Sequence, residues 1–563
     1  GHAGTPVTIF GAGFSATPSA NTVTIGGASA TVSSSTTTTI QTSIPMSAIT
    51  GPISVTVGGA TAVSTSNIAV YKPLIASFSP AVVAPGRSVT VTGASLNLVA
   101  GGTSLSVGGT SVTVTSLSNT QAVFMAPNNT GGPIVVNTSY GQATSAASLM
   151  IVPSSIGAAN VVAQAAIQAG GSATLAINQQ NKYALLQFNA TANSYYSVQV
   201  SSLTTTPAGA SLGWQMFSPT GASVGSGSFS STSPSIHLPK TTAAGTYLVS
   251  FASGSSSSVQ VNAALEPNPT LTANATVSSS TTAVRQSKRY VFDATAGDDL
   301  NLAMTGLALT PSSPNYVRVY VTRPDGYYGS FWCYTPVCGT HPNTYSLANV
   351  PVTGTYTVTV EPQGAQTMSF NLTLTQDVTG TLTAGTPLSV SLPEAGRQAM
   401  LTFSATANQT VALNVGSIAT TPAGKNVSVY VYQANGTVVG ATTTSTQSTM
   451  NLTNLAAGTY SVLVAPYDAA TGTMQVTLAN GVSATVLPDG STQSFSTSLP
   501  SQNAYFKFNA TAGDDLSLAL TGLSLTPSSP SYVRVYVTRP DGYYGSFWCY
   551  TPVCGTHPNT YSL

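Results

Sequence analysis

Along most of the chain, β-branched or aromatic residues alternate with polar ones for a few positions and then stop at glycine or proline. NTVTIGG from Asn21, ISVTVGG from Ile53, SVTVTG from Ser88, VRVYVT from Val317, TYTVTV from Thr355 and NVSVYVY from Asn426 all read this way. A period of two is the signature of a half-buried strand, and glycine and proline mark the turns between such strands. No window of a dozen residues keeps an i, i+3, i+4, i+7 apolar pattern free of Gly, Pro and Thr clusters. The least poor helical stretch, Val161 to Ala169, is read as a strand entry. The pattern therefore predicts an all-β protein. Threonine and serine interrupt every apolar run, so no membrane span is expected in this segment.

At 563 residues the chain exceeds any single hydrophobic core, and several domains are expected. Only 5% of residues are charged and the formal net charge is +1. An ordinary domain carries about 25% charged residues, so the exposed positions must be Ser, Thr, Asn, Gln and Gly. The first acid is Glu266. Acid–base catalysis and hard-cation binding need carboxylates brought together, which the preceding stretch cannot supply. Its bases are Lys72, Arg87, Lys182 and Lys240, too sparse to neutralise phosphates, so nucleic acid is not an expected partner. No enzyme activity and no cofactor are expected.

Repeats set the organisation. Tyr316 to Leu347 recurs unchanged as Tyr532 to Leu563, and DATAGDDLNLAMTGLALTPSSP from Asp293 recurs as NATAGDDLSLALTGLSLTPSSP from Asn509. A weaker pair links FNATAN at Phe188 with FSATAN at Phe403, and AAGTY ending at Tyr247 with AAGTY ending at Tyr460. The order is A–B–A–B: A1 at 151–266, B1 at 267–376, A2 at 377–481 and B2 at 482–563, the last incomplete. Two shorter modules precede them, at 1–72 and 73–150. AGTPVTIFGAGF at Ala3 aligns with PGRSVTVTGASL at Pro85, but the second copy has a preceding strand, LIASFSP from Leu74, that the first lacks. The expectation is a piece of a longer protein, or end domains completed by a neighbouring chain.

The first two modules resemble the IPT/TIG immunoglobulin-like domains. The resemblance rests on SP-x5-G-x-x-VTVTG from Ser79 to Gly93 and on the glycine pairs after Ile25, Val57 and Val107. A glycine pair supplies the positive φ that a tight hairpin demands. Modules A and B resemble the PPC family of bacterial secreted β-sandwiches through Y-x-x-F-x-ATA early and AGTY or TGTY late. The whole tract looks like the stalk of large bacterial YD-repeat or RHS-type surface proteins. The resemblance implies tandem immunoglobulin-like and PPC-like (jelly-roll-like) β-sandwiches in an elongated array, outside the cell.

Cys333 with Cys338 and Cys549 with Cys554 form two identical C-x4-C units. Local, even pairing in a Ser/Thr-rich chain reads as disulfides made in an oxidising compartment, which fits a secreted or cell-surface location. A ring this short contributes about 2 kcal/mol, enough to pin a loop. A zinc site made with His341 is the alternative reading. Asp298 and Asp299, with their copies Asp514 and Asp515, read as a solvated turn, with structural calcium as the alternative. His2, His237, His341 and His557 stand apart from any nucleophile arrangement. The segment from Arg323 gathers Tyr327, Tyr328, Phe331, Trp332 and Tyr334 around the cysteine ring, and its copy gathers Tyr543, Tyr544, Phe547, Trp548 and Tyr550. These are the candidate contact residues, presented twice as a lateral contact in a fibre requires. The expected function is an extracellular structural fibre or stalk whose partners are copies of itself. The rival expectations are an adhesin that binds cell-surface or matrix glycans, and an accessory stalk of a secreted peptidase or toxin-delivery protein.

Overall fold

The structure is a computed structural model that describes residues 1–98, 101–231, 234–338, 345–347, 349–554 and 561–562, without the side chains of 345, 346, 544, 553, 554, 561 and 562. The regular elements among the described residues are strands and two single 3-10 turns, Pro18–Ala20 and Ala158–Asn160. Val161–Ile167 is a strand, as its short apolar run suggests.

In the first segment, Pro6–Phe10, Thr39–Ser43 and Val32–Ser35 form one sheet, and Ala28–Ala30, Asn21–Ile25, Ile53–Val57 and Ala60–Val63 form a second. Val23, Ile25 and Val55 from the second sheet cluster with Ile40 from the first. In the next segment the Ser88–Ala94 strand sits between Gln121–Met125 and Leu74–Ser79. Its Val89 and Val91 cluster with Leu105, Val107, Ile134 and Val136 of the other sheet. The glycine pairs turn as their sequence suggests: Gly26 and Gly27 have φ of +54° and +81°, and Gly108 and Gly109 have +55° and +83°. Gly108 also abuts the backbone, since a Cβ there would stand 2.1 Å from the Gly131 carbonyl oxygen.

Residues 161–267 and 378–480 share one strand order. In the first, Val161–Ile167, Tyr183–Ala190, Gly245–Ala252, Leu212–Phe217 and Ser223–Phe229 lie side by side. Ser172–Ile177, Ser258–Pro267, Tyr196–Thr206 and Ser235–His237 make the companion sheet. Residues 275–376 repeat this order, with the opening parallel strand reduced to a bridge between Thr270 and Val291. Residues 161–267, 275–376 and 378–480 thus share one strand order, whereas among the described residues 482–563 forms two-stranded sheets only.

The recurring F-x-ATA and GTY peptides meet in space. Phe188 stacks on Tyr247, Phe292 on Tyr356 and Phe403 on Tyr460, with ring centroids 6.0, 5.2 and 5.1 Å apart. Each tyrosine hydroxyl donates back to the carbonyl four residues earlier, that of Ala243, Val352 or Ala456. The aromatic pair fills each core, and the hydroxyl closes the loop before the strand.

Successive modules are also joined by packed contacts. Met150, Val152 and Ile156 cluster with Leu185, Phe217 and Leu248, which lie on the outer side of the 161–252 sheet. Gln187 at its centre donates to the carbonyls of Thr130 and Leu149, at 2.8 and 3.3 Å. The next joint is polar. Arg289 donates to the carbonyls of Tyr196 and Leu238, and Gln199 to that of Ser287.

A Cβ at Gly108 meets backbone while one at Gly109 meets open space, although both have positive φ. Gly109→Ala is therefore expected to cost about 1 kcal/mol for the left-handed backbone alone, and Gly108→Ala distinctly more. Thermal unfolding of the two variants checks the order.

Candidate contact surface

The segment YVRVYVT at Tyr316–Thr322 is strictly alternating, and it pairs antiparallel with YGSFWCY at Tyr328–Tyr334. Val317, Val319 and Val321 are buried in the module core, which turns Tyr316, Arg318, Tyr320 and Thr322 outward. On the partner strand Cys333 is buried, so Tyr328, Ser330, Trp332 and Tyr334 share the outer face. Arg318 lies directly opposite Trp332, and Tyr316 opposite Tyr334.

The outer side chains hold one another. Tyr316 meets Trp332 edge-on at 5.3 Å and Tyr334 at the same distance. The Arg318 guanidinium sits 4.9 Å from the Tyr320 ring centroid and 5.0 Å from that of Trp332, and it donates to Ser330 Oγ. At the turn, Arg323 pairs with Asp325 and covers the Tyr327 ring at 4.5 Å. Tyr320 is pushed above its ordinary pKa, by burial first and by the neighbouring Glu361 carboxylate second. Tyr327, Tyr328, Trp332 and Tyr334 remain 47% to 63% exposed. This is a fixed aromatic face open to solvent.

The same face is built a second time. Tyr532–Thr538 pairs with Tyr544–Tyr550 in the same register, with Arg534 opposite Trp548. Arg534 sits 4.9 and 5.0 Å from Tyr536 and Trp548, and Arg539 covers Tyr543 at 4.5 Å. Tyr543, Trp548 and Tyr550 are more than half exposed. The Tyr544 side chain lies outside the described residues.

One expected contact residue is misplaced by the sequence reading. Phe331 is half-buried and packs against the module core, because it alternates with Trp332 and shares the inward face with Cys333. Phe547 falls on the same side of its strand by the same alternation. Sequence reasoning in turn passed over Tyr316, Arg318 and Tyr320, which the alternation of YVRVYVT places on the face.

Cys333 and Cys338 are joined in a disulfide, which rules out the zinc reading for that pair. The bond does more than pin a loop. Both sulfurs lie in the module core, and Cys338 exchanges two backbone hydrogen bonds with Met304 on the other sheet. Cys549 is buried and disulfide-bonded. The Cys554 side chain, His341 and His557 lie outside the described residues. Asp298 accepts from the Thr295 N–H and Asp299 from that of Asn349, and Asp514 repeats the first bond with Thr511. Asp298 and Asp514 serve their own turns while Asp299 ties across to the distant loop at Asn349, and among the described residues no three His, Cys, Asp or Glu side chains gather as metal ligands.

Two histidines have defined places. His2 Nδ1 contacts the Ala3 carbonyl, and its ring lies 5.1 Å from Tyr140. His237 lies in the polar joint, where the structure finds a role that no sequence motif announces. Ser197 Oγ donates to Asn268 Oδ1, so it accepts from His237 Nδ1–H at 2.8 Å, while Nε2 accepts from Ser287 Oγ at 2.9 Å. The ring is partly exposed, but both nitrogens are held by hydrogen bonds within the joint. Burial, reinforced by Arg289, pushes His237 down to about 3.

Residues 1–71 and 73–156 match the IPT/TIG domain. The immunoglobulin-like character of these two segments is thereby shown. No curated protein matches the chain. Among solved structures, the plexin A4 extracellular region is 16% identical over 27% of this chain and 17% of that one, with a TM-score of 0.18. The surface glycan-binding protein PbSGBP-B from Prevotella bryantii is 12% identical over 46% of this chain and 92% of its own, with a TM-score of 0.16. SGBP-B from a complex xyloglucan utilization locus in Bacteroides uniformis is 13% identical, covering 67% and 96%, with a TM-score of 0.15. Among the described residues no helix is long and apolar enough to cross a membrane.

Below its ordinary pKa of 6.5, His237 takes up a proton in the unfolded chain that the folded joint refuses until about pH 3. Stability therefore rises with pH across that window and levels off above it, by at most about 1.4 kcal/mol per pH unit. Thermal unfolding between about pH 4 and 7 is expected to show this rise in the native chain and a flatter profile in His237→Gln.

Proposed function

We propose that the chain is a non-catalytic structural segment of an extracellular surface protein, assembled from copies of itself into a fibre or stalk. Two IPT/TIG domains, at 1–72 and 73–150, lead into four PPC-like β-sandwiches at 151–266, 267–376, 377–481 and 482–563. In this reading the tract corresponds to the stalk of YD-repeat or RHS-type surface proteins. The observation that carries the proposal is the aromatic face built twice with the same register and the same Tyr–Trp–Arg packing. Large exposed aromatics held by their neighbours give up little side-chain freedom on contact, which suits them as anchors of an interface. Low charge supports the same conclusion, since a net charge of +1 over 563 residues leaves little repulsion between copies. The core disulfide fits folding in an oxidising compartment.

A glycan-binding adhesin is the second reading, favoured by the exposure of Tyr328, Trp332 and Tyr334 along one strand face. Aromatic rings set in a row offer apolar platforms for sugar rings.

Replacing both Trp332 and Trp548 with Ala separates the readings. The outer-face location predicts a change in folding stability within about 1 kcal/mol. Electron microscopy of the native chain is expected to reveal assemblies that the double variant forms poorly. A native chain that stays monomeric but is retained on immobilised polysaccharide, with retention lost in the variant, would support the adhesin instead.

A further inference from the structure

The aromatic face lies on a sheet edge, and the backbone of that edge has a definite polarity. The sheet order is Lys288–Ala294, Gly354–Pro362, Tyr316–Thr322, Tyr328–Tyr334, and among the described residues no strand pairs with the free side of Tyr328–Tyr334. The hairpin ladder is fixed at both ends: the Arg323 N–H donates to the Tyr327 carbonyl, and the Thr335 N–H to that of Asn315. Antiparallel ladders alternate between bonded and non-bonded pairs. Gly329, Phe331 and Cys333 therefore spend their backbone groups on the neighbouring strand. Those of Tyr328, Ser330, Trp332 and Tyr334 point away from it. The strand carries no charged residue and no proline, the usual devices that keep an edge from pairing.

Resting on the self-assembly reading above, we propose that this edge pairs antiparallel with the same edge of a second copy of the chain, about a two-fold axis through Phe331. In that register Tyr328 faces Tyr334 of the second copy, and Ser330 faces its Trp332. All four outward-pointing residues then exchange hydrogen bonds, and each large indole lies over a small serine. A shift of two residues either way leaves part of the edge unpaired. The sequence YGSFWCY is thus complementary to itself, as an isologous contact demands.

The copy at Tyr544–Tyr550 has the same polarity. The Arg539 N–H donates to the Tyr543 carbonyl, and the Thr551 N–H to that of Ser531. Each chain therefore carries two self-complementary edges. One edge gives a closed dimer, while two give a chain of chains.

Proline at an outward position removes a free N–H without touching the hairpin ladder, and edge strands tolerate it there. The test is sedimentation velocity of the full chain with Ser330→Pro, with Ser546→Pro and with both. The native chain is expected to form species larger than a dimer, each single variant to stop at dimers, and the double variant to stay monomeric. Ser330→Lys with Ser546→Lys should repeat the last result if a proline variant misfolds. Assembly of both double variants as in the native chain would overturn edge pairing while leaving the fibre reading intact. A native chain monomeric at every concentration would overturn the fibre reading itself.

Discussion

Each module with a formed core, from residue 1 to about 480, depends on hiding one face of each sheet, in a chain with too few charges to distinguish inside from outside by ion pairing. The period-two alternation makes that distinction. It sends valine, leucine and phenylalanine into a shared core and leaves serine and threonine at the surface. In three of the repeats the stacked Phe–Tyr pair then fixes how the two ends meet. The tyrosine hydroxyl ties down the loop that would otherwise leave a carbonyl without a partner.

Where that alternation was followed strictly, the sequence was a sufficient guide. YVRVYVT announces a strand with valines inward, and the glycine pairs announce hairpins with positive φ. The contact face was legible as a cluster but not as a geometry. Counting aromatics put Phe331 on the surface, whereas pairing YGSFWCY against YVRVYVT sends it into the core and brings Tyr316, Arg318 and Tyr320 forward. The role of His237 was not legible at all. Its partners Ser197 and Ser287 lie 40 and 50 residues away in the chain, and in a serine-rich sequence nothing marks those two out.

The cysteine ring carries a related lesson. Its brevity suggests a local staple, and by loop entropy alone it is one. Its position in the core, with Cys338 bonded to Met304, means that it also secures the end of the aromatic edge strand to the opposite sheet. The proposed pairing needs the backbone groups of four residues held in a fixed direction, and the edge gains from being anchored at the end where its strand leaves the sheet.

The joint between the second and third modules has a mechanical consequence. Bending there would drag Leu185, Phe217 and Leu248 away from Met150, Val152 and Ile156 and open that apolar seam to water. It would also break the Gln187 bonds to Thr130 and Leu149. This stretch resists tilting as a splinted beam does, because any bend between these two modules must first open that seam.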